Sequence, residues 1–203
     1  MSEQPVLESE ETGSVTIVRW DDPADELTGV ARVAAAMVSR GYTHPPRIGF
    51  AAPNRTWALQ LQQACTTEGL PAVVTREPLG RGVRRASIMD FRTAWTDFDF
   101  LFVVGCVEGL IPTAQALADE SVLTQQSQAF ARLAQAPAEV VLSSFAKMPA
   151  SLAEHIHVPF HRTKMVDGTP FARVAPTRFI AAMGAARPTT VGGQQFLRNA
   201  GLN

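Results

Sequence analysis

Lysine is nearly absent from this chain of 203 residues, which has two lysines against 16 arginines. A phosphate-binding P-loop needs a lysine directly after a glycine at a helix start, where backbone N–H groups and the ammonium hold the phosphates together. Lys147 follows Ala146, and Lys164 follows Thr163. The chain therefore contains no P-loop, and an independent P-loop ATPase is excluded.

Cysteine is equally scarce, and no C-x-x-C pair is present. Cys65 and Cys106 lie far apart in apolar segments, which predicts two reduced, packed thiols. His155, His157 and His161 are close in sequence, and strand alternation would put His155 and His157 on one face, but without a cysteine or carboxylate nearby. We interpret them as hairpin surface and predict no metal site.

Long apolar runs and a strong charge of either sign are also missing. Hydrophobic residues make up 46% and charged residues 18%, with a net charge of −1. These are values of a globular domain, and no apolar run approaches the roughly 20 residues of a membrane helix. The acidic start MSEQPVLESEETG has no signal-peptide core. We expect a cytoplasmic protein with a disordered segment 1–13, a domain at 14–185 and a loose tail at 186–203.

Short apolar runs alternate with helical patterns along the chain. Val15–Trp20 reads as a strand, and a helix is expected between a cap at Asp22 and Gly41. Phe100–Gly105 is apolar at almost every position, as in a strand covered on both faces. A hairpin is expected to turn at Asp167-Gly168. The pattern predicts an α/β fold with a mostly parallel sheet of five to seven strands and helices on both faces.

Four segments, in their order along the chain, resemble the second RecA-like domain of UvrD/Rep-type helicases. Ile48–Pro71, with Asn54-Arg55-Thr56 at its strand-to-helix turn, resembles that family's "diAVLvRtn.qs..le..L...gIP". Asp97–Thr113 (DFDFLFVVGCVEGLIPT) resembles its "GLEFD" element followed by a strand and "EG.(I/L/F)P". Downstream, EVVLSSF resembles the strand after the family's arginine motif, and PTRFI resembles "PSRFL". The resemblance spans most of residues 14–183 and implies a RecA-like fold.

The same comparison shows where the chain departs from the family's motifs. In the fifth motif, "T.H..KGLEFD", Phe91 stands at the histidine, Ala94-Trp95 at the Lys-Gly pair, and Asp97 at the glutamate. In the sixth motif, Gln135 stands where an arginine stabilises charge on the γ-phosphate. The resemblance thus implies a domain that is not catalytic alone. Its degenerate motif positions are Asn54, Arg55, Thr56, Asp97, Glu108 and Gln135.

Arginines are concentrated in the segment 76–92, which in the family links elements near the DNA path. Guanidinium groups suit phosphate oxygens, and an aromatic ring could stack on a base. The residues predicted to contact nucleic acid are Arg81, Arg84, Arg85, Arg92 and Trp95, in a segment that also contains Arg76.

Three hypotheses for function remain open. The first is a non-catalytic helicase-like module that binds single-stranded DNA or a partner protein within DNA repair or recombination, with no cofactor. The second is a half-motor completed by a P-loop helicase subunit, which would bring ATP and Mg²⁺. The third is an unrelated doubly wound α/β protein, whether enzyme or scaffold. Asp90, Asp97 and Asp99 surround a strand mouth of the kind where enzymes hold Mg²⁺, but the family resemblance favours a structural role for Asp97 and Asp99.

Overall fold

A single parallel sheet forms the centre of the protein, whose computed structural model describes residues 13–79, 82–93, 95, 97–184 and 187–202. Its seven strands lie in the order β10-β1-β6-β5-β2-β4-β3. Every neighbouring pair is parallel. The strands are β1 (Val15–Trp20), β2 (Ile48–Ala52), β3 (Ala72–Val74), β4 (Ala86–Asp90), β5 (Phe100–Val103), β6 (Glu139–Phe145) and β10 (Thr190–Gly192).

Side-chain caps define the two longest helices of the first half of the chain. α1 (Pro23–Ser39) begins as predicted at Asp22, whose carboxylate accepts from the N–H groups of Ala24 and Asp25 at 3.0 Å each. α2 (Arg55–Thr67) begins at Asn54, which accepts from the N–H of Trp57 at 3.0 Å. Such caps satisfy N–H groups that have no partner inside the helix. The other helices are α3 (Ala114–Ala118), α4 (Glu120–Ala134), α5 (Ala150–His155), α6 (Arg178–Ala181) and α7 (Gly193–Asn199).

Two hydrophobic cores lie on the two faces of the parallel sheet. Phe102 of β5 and Val104 directly after it enter the core that contains α1 and α2, while Leu101 and Val103 of β5 enter the core that contains α4 and α6. β5 occupies the middle of the sheet. The α/β fold class with helices on both faces is confirmed, as is the prediction that this strand is covered on both faces.

The chain after β6 forms a second, antiparallel sheet in the order β7-β9-β8. Its strands are β7 (Lys147–Pro149), β8 (Phe160–Val166) and β9 (Thr169–Val174). The predicted turn is confirmed, because Asp167 and Gly168 join β8 to β9 with φ angles of 48° and 79°, as a tight hairpin turn requires. Of the three histidines, only His161 lies in the hairpin, since His155 ends α5. Within the described residues, no group of three His, Cys, Asp or Glu side chains could hold a metal ion.

The tail predicted to be loose at 186–203 is instead part of the fold over much of its length. β10 pairs with β1 at the sheet edge, from Ile17 opposite Thr190 to Arg19 opposite Gly192. The following helix α7 packs its Phe196 edge-on against Trp20, with ring centroids 6.3 Å apart. The boundary predicted at 185 therefore excluded a strand of the parallel sheet. Except for Gly13, the segment predicted to be disordered lies outside the described residues.

Candidate nucleic-acid interface

The parallel sheet has a carboxyl edge, where its strands end, and an amino edge, where they begin. Asn54 and Arg55 follow β2, and Glu108 lies beyond β5, so these residues belong to the carboxyl edge. Asp97 precedes β5 and Gln135 precedes β6, which places them at the amino edge. The residues singled out from the sequence therefore form two separate groups. Ligands of open α/β sheets generally bind outside the carboxyl ends of the strands.

A groove of about 580 Å³ lies at the carboxyl edge, between α2 and strands β3 and β4. We call it the carboxyl-edge groove. Arg55 and Arg76 line it, are exposed, and form no salt bridge within the described part of the chain. Asp90 also lines it, but its carboxylate accepts from Arg92 Nε at 2.7 Å and Nη2 at 2.5 Å. The remaining lining residues are Asn54, Ala58, Leu59, Gln62, Val73, Val74, Thr75 and Met89.

Arg92 is held in place by its own neighbours. Its hydrogen bonds to Asp90 raise the pKa of the guanidinium, and its charge lies 5.7 Å from the centre of the Phe91 ring. A guanidinium already paired with a carboxylate is less available to a phosphate. Its predicted contact with nucleic acid stays a prediction.

The arginine-rich segment is divided between the two edges. Arg76 comes just after β3 at the carboxyl edge, whereas Arg84 and Arg85 come just before β4 at the amino edge. Five residues of β4 separate Arg85 from the carboxyl edge, a distance of roughly 17 Å at about 3.3 Å per residue. Arg81 lies outside the described residues. Neighbours in sequence are thus not one patch in space.

Trp95 packs into the amino edge rather than standing free. Its ring is half-buried, lies 5.7 Å from the ring of Phe98, and donates its N–H to the carbonyl of Phe91 at 3.4 Å. Trp95 and Asp97 border a cavity of only about 10 Å³ together with Ala136, the residue after Gln135. The segments that resemble the fifth and sixth motifs therefore meet here. Base stacking on Trp95 stays a prediction, limited to the exposed part of the ring.

Glu108 and Arg178 join two segments that resemble family motifs, EGLIP and PTRFI. Glu108 accepts from the backbone N–H of Arg178 at 2.5 Å, and from its guanidinium at 3.0 Å and 2.8 Å. Only 9% of the surface of Glu108 is exposed, so this forked pair replaces most of the contact of its carboxylate with water. The pair fixes the chain after the hairpin against the loop after β5.

A buried carboxyl group lies below the carboxyl edge, at a position that the sequence patterns did not single out. Glu26 of α1 is 0% exposed; its Oε1 accepts from the N–H of Gly105 at 3.0 Å and the hydroxyl of Ser143 at 2.9 Å. The Ser143 hydroxyl in turn accepts from the indole N–H of Trp20 at 3.0 Å. Glu26 Oε2 and Trp57 Nε1 make no hydrogen bond of ordinary geometry. The network ties α1 to β1, β5 and β6.

Burial decides the ionisation of this group. It raises the pKa of the Glu26 carboxyl from 4.5 to about 8, against the opposite effects of the Gly105 N–H, the Ser143 hydroxyl and the Trp57 indole. Burial therefore favours the protonated form of Glu26 over the ionised form. The sequence does contain a sign that Glu26 is buried, because Glu26 lies four residues before Val30 on the apolar face of α1.

Comparison with known proteins adds little beyond the fold. No family model matches the sequence, and no curated protein matches it. One solved structure with a similar fold is a C-terminal domain of S. cerevisiae Dbp5 bound to Gle1 and IP6. It has 10% identity and a TM-score of 0.43, over 93% of this chain and 96% of that chain. A similarity at this level says nothing about which ligands this chain binds. Among the described residues, no helix is long and apolar enough to cross a membrane.

Proposed function

We propose that this chain is a non-catalytic module that binds single-stranded nucleic acid, with the backbone seated in the carboxyl-edge groove. The observation that carries the proposal is the pair of exposed guanidiniums, Arg55 from α2 and Arg76 after β3, on the two walls of one groove of about 580 Å³. Guanidinium groups bind phosphodiester oxygens through two parallel hydrogen bonds. The acid in the groove wall, Asp90, is already neutralised by Arg92.

The rest of the groove suits the other parts of a nucleotide. Leu59 exposes 48% of its surface there, an apolar contact for a base or ribose. Gln62 and Thr75 supply polar groups beside it. The N-terminus of α2 adds the partial positive charge of its helix dipole. The groove thus combines phosphate-binding and base-contacting surfaces without needing a particular base.

Two features support a role without catalysis. The chain has no P-loop, and Gln135, at the position of the family's γ-phosphate arginine, has no charge to stabilise a developing oxyanion. The cavity beside it, about 10 Å³, has room for at most one water molecule. The resemblance to UvrD/Rep-type helicases, and with it a role in DNA repair, stays part of the proposal. The same holds for the alternative, a half-motor completed by a P-loop subunit.

The test is a salt titration of binding to a fluorescently labelled oligothymidylate, followed by anisotropy. We expect dissociation constants in the micromolar range or weaker at physiological salt, about 10⁻⁶ to 10⁻⁴ M. Replacing Arg55 and Arg76 together by alanine should weaken binding and flatten the slope of log K against log salt by about 1.4, since each phosphate contact on a single strand contributes about 0.7. The matched control replaces Arg132 of α4 and Arg198 of α7 by alanine, which removes the same amount of charge away from the groove.

Equal slopes for the groove variant and the control variant would contradict the proposal. ATP hydrolysis should stay at background with or without DNA. Turnover that appears only when a P-loop subunit is added would favour the half-motor instead.

A further inference from the structure

We propose that the antiparallel sheet carries a second surface for nucleic-acid phosphates, the basic hairpin face, formed by Lys147, Arg162, Lys164, Arg173 and the ring of Phe171. Naming nucleic acid as the ligand rests on the proposed function. The geometry of this surface is independent of the carboxyl-edge groove, so either can fail without the other.

Strand register brings these residues together from three separate stretches of sequence. Lys147 of β7 lies opposite Arg173 of β9, and Lys164 of β8 lies opposite Phe171. Arg173 and Phe171 share one side of β9 because side chains alternate along a strand. Arg162 and Arg173 line the same cleft beside them. One side of a three-stranded sheet therefore gathers Lys147, Lys164 and Arg173 around one aromatic ring, and Arg162 joins Arg173 in the adjoining cleft.

On β7 and β9 the opposite side of this sheet is buried, which fixes the charged side of these two strands outward. Met148 and Ala172 are 0% exposed and belong to the core with α1 and α2. β8, by contrast, is exposed at every position from His161 to Met165, and Met165 exposes 62% of its surface. A register slip that hid the cations would bring Met148 and Ala172 to the surface.

No salt bridge neutralises these four cations within the described residues. Carboxylates do lie nearby: the charge of Lys147 acts on Asp25 without a salt bridge between them, Asp21 accepts the Lys147 backbone N–H through its own carbonyl, and Asp167 forms the turn of the hairpin. The Lys147 ammonium lies 5.6 Å from the centre of the Phe171 ring instead. Burial, and after it the charge of Arg173, lowers the pKa of the neighbouring Arg19, whose guanidinium donates to the Val174 carbonyl.

The cleft at one end of this surface combines cationic side chains with an apolar lining that includes Pro159, Phe160 and Val174. It measures about 460 Å³ and is lined by Arg162, Arg173 and Arg178 together with His161. Its one carboxylate among the lining residues, Glu108, is occupied by the guanidinium of Arg178 at 2.8 Å.

An extended polyanion fits this surface better than a single anion. Like charges on neighbouring strands destabilise a sheet unless a counter-charge lies between them. The cations continue from the cleft across to Lys147, so several phosphates in a row can each meet one. Phe171, half-buried beside them, offers an apolar edge to a base.

The experiment compares two triple variants in the same anisotropy salt titration with oligothymidylate. The first replaces Arg162, Lys164 and Arg173 by alanine, and the matched control replaces Arg132, Arg187 and Arg198. We expect the hairpin variant to lose at least about tenfold in affinity and to flatten the salt slope by about 2, since three contacts contribute about 0.7 each. The control should keep the wild-type slope.

A second measurement on the unaltered protein guards against misfolded variants. An oligonucleotide that carries a photo-cross-linking base should label peptides within 160–174, mapped by mass spectrometry. The inference is overturned if the hairpin variant matches the control and no label reaches this segment. It is also overturned if polyglutamate, but not DNA, binds the surface, because the partner would then be an acidic protein. If the groove variant keeps the wild-type affinity and salt slope while the hairpin variant loses affinity, the result refutes the carboxyl-edge groove alone.

Discussion

Replacing Glu26 by glutamine tests whether a protonated carboxyl group lies at the centre of the buried network. The pKa of Glu26 is about 8 in the folded chain against an ordinary 4.5, a difference of about 3.5. Between these two values the folded state keeps a proton that the unfolded state has released, so the free energy of unfolding falls as pH rises. At about 1.36 kcal/mol for each unit of pKa, the loss approaches 5 kcal/mol above pH 8 and is absent below pH 4.5.

Glutamine has no charge to bury, so the variant lacks this pH dependence. Its carbonyl can still accept from Gly105 and Ser143, but its amide replaces an oxygen that makes no hydrogen bond. Unsatisfied buried donors cost about 1–3 kcal/mol. We therefore expect the variant to be less stable than the wild type at pH 5 and more stable at pH 9, with the two stability curves crossing between.

Urea unfolding followed by circular dichroism, at several pH values from 5 to 9, measures this directly. Asp99 and Asp119 have lowered pKa values, the first through Arg47 and the second through Ser121, and both lose their contribution at more acidic pH. Asp99 and Asp119 are present in both proteins, so their contributions cancel when the stability of the variant is subtracted from that of the wild type. Exchanging the exposed Glu154 for glutamine is the matched control. Parallel curves for wild type and Glu26→Gln would refute a raised pKa.

Two further substitutions test the packing around the candidate interface. Gly29→Ala should destabilise the protein by about 1–3 kcal/mol in urea unfolding although alanine favours helix, because a Cβ there would lie 2.1 Å from the ring of buried Trp20; a more stable variant would show that the ring moves aside. Arg178→Ala should cost about 1–3 kcal/mol by leaving the nearly buried Glu108 without its guanidinium, and Arg178→Lys should recover only part of this, since an ammonium cannot form the fork. Full recovery by lysine would mean that charge alone matters there.

Most of the parallel sheet could be predicted because its strands are buried on both faces. Val15–Trp20 matches the predicted strand to the residue, and Phe100–Val103 lies within the predicted Phe100–Gly105. The strand Thr190–Gly192 was missed because it pairs through its backbone and only partly buries its side chains, leaving no apolar run to read. The helix at Ala114–Ala118 was also missed, although Thr113 caps it through its hydroxyl.

The surfaces were harder to predict than the fold, because sequence distance and spatial distance diverge in a parallel sheet. Arg76 and Arg85 are close in sequence, yet they lie at opposite edges of the sheet. Arg76 follows the end of β3, whereas Arg85 precedes the start of β4. Lys147, Lys164 and Arg173 are spread along the chain, and only the register of the antiparallel sheet brings them together. No pattern within a single segment contains that information.

Local charge, not net charge, decides whether this chain can hold a polyanion. Its net charge of −1 gives no long-range attraction to DNA, and at physiological salt the field of an exposed charge fades over about 8 Å. Within that range, what counts is which cations lack partners. Four arginines form salt bridges: Arg32, Arg47, Arg92 and Arg178. Within the described residues, the cations that define the two proposed surfaces form none. We therefore expect ordinary association rates together with a steep salt dependence of affinity, since contact releases counterions even where steering is weak. Stopped-flow association that accelerated strongly at low salt, with a flat equilibrium slope, would contradict this division between the whole chain and its two surfaces.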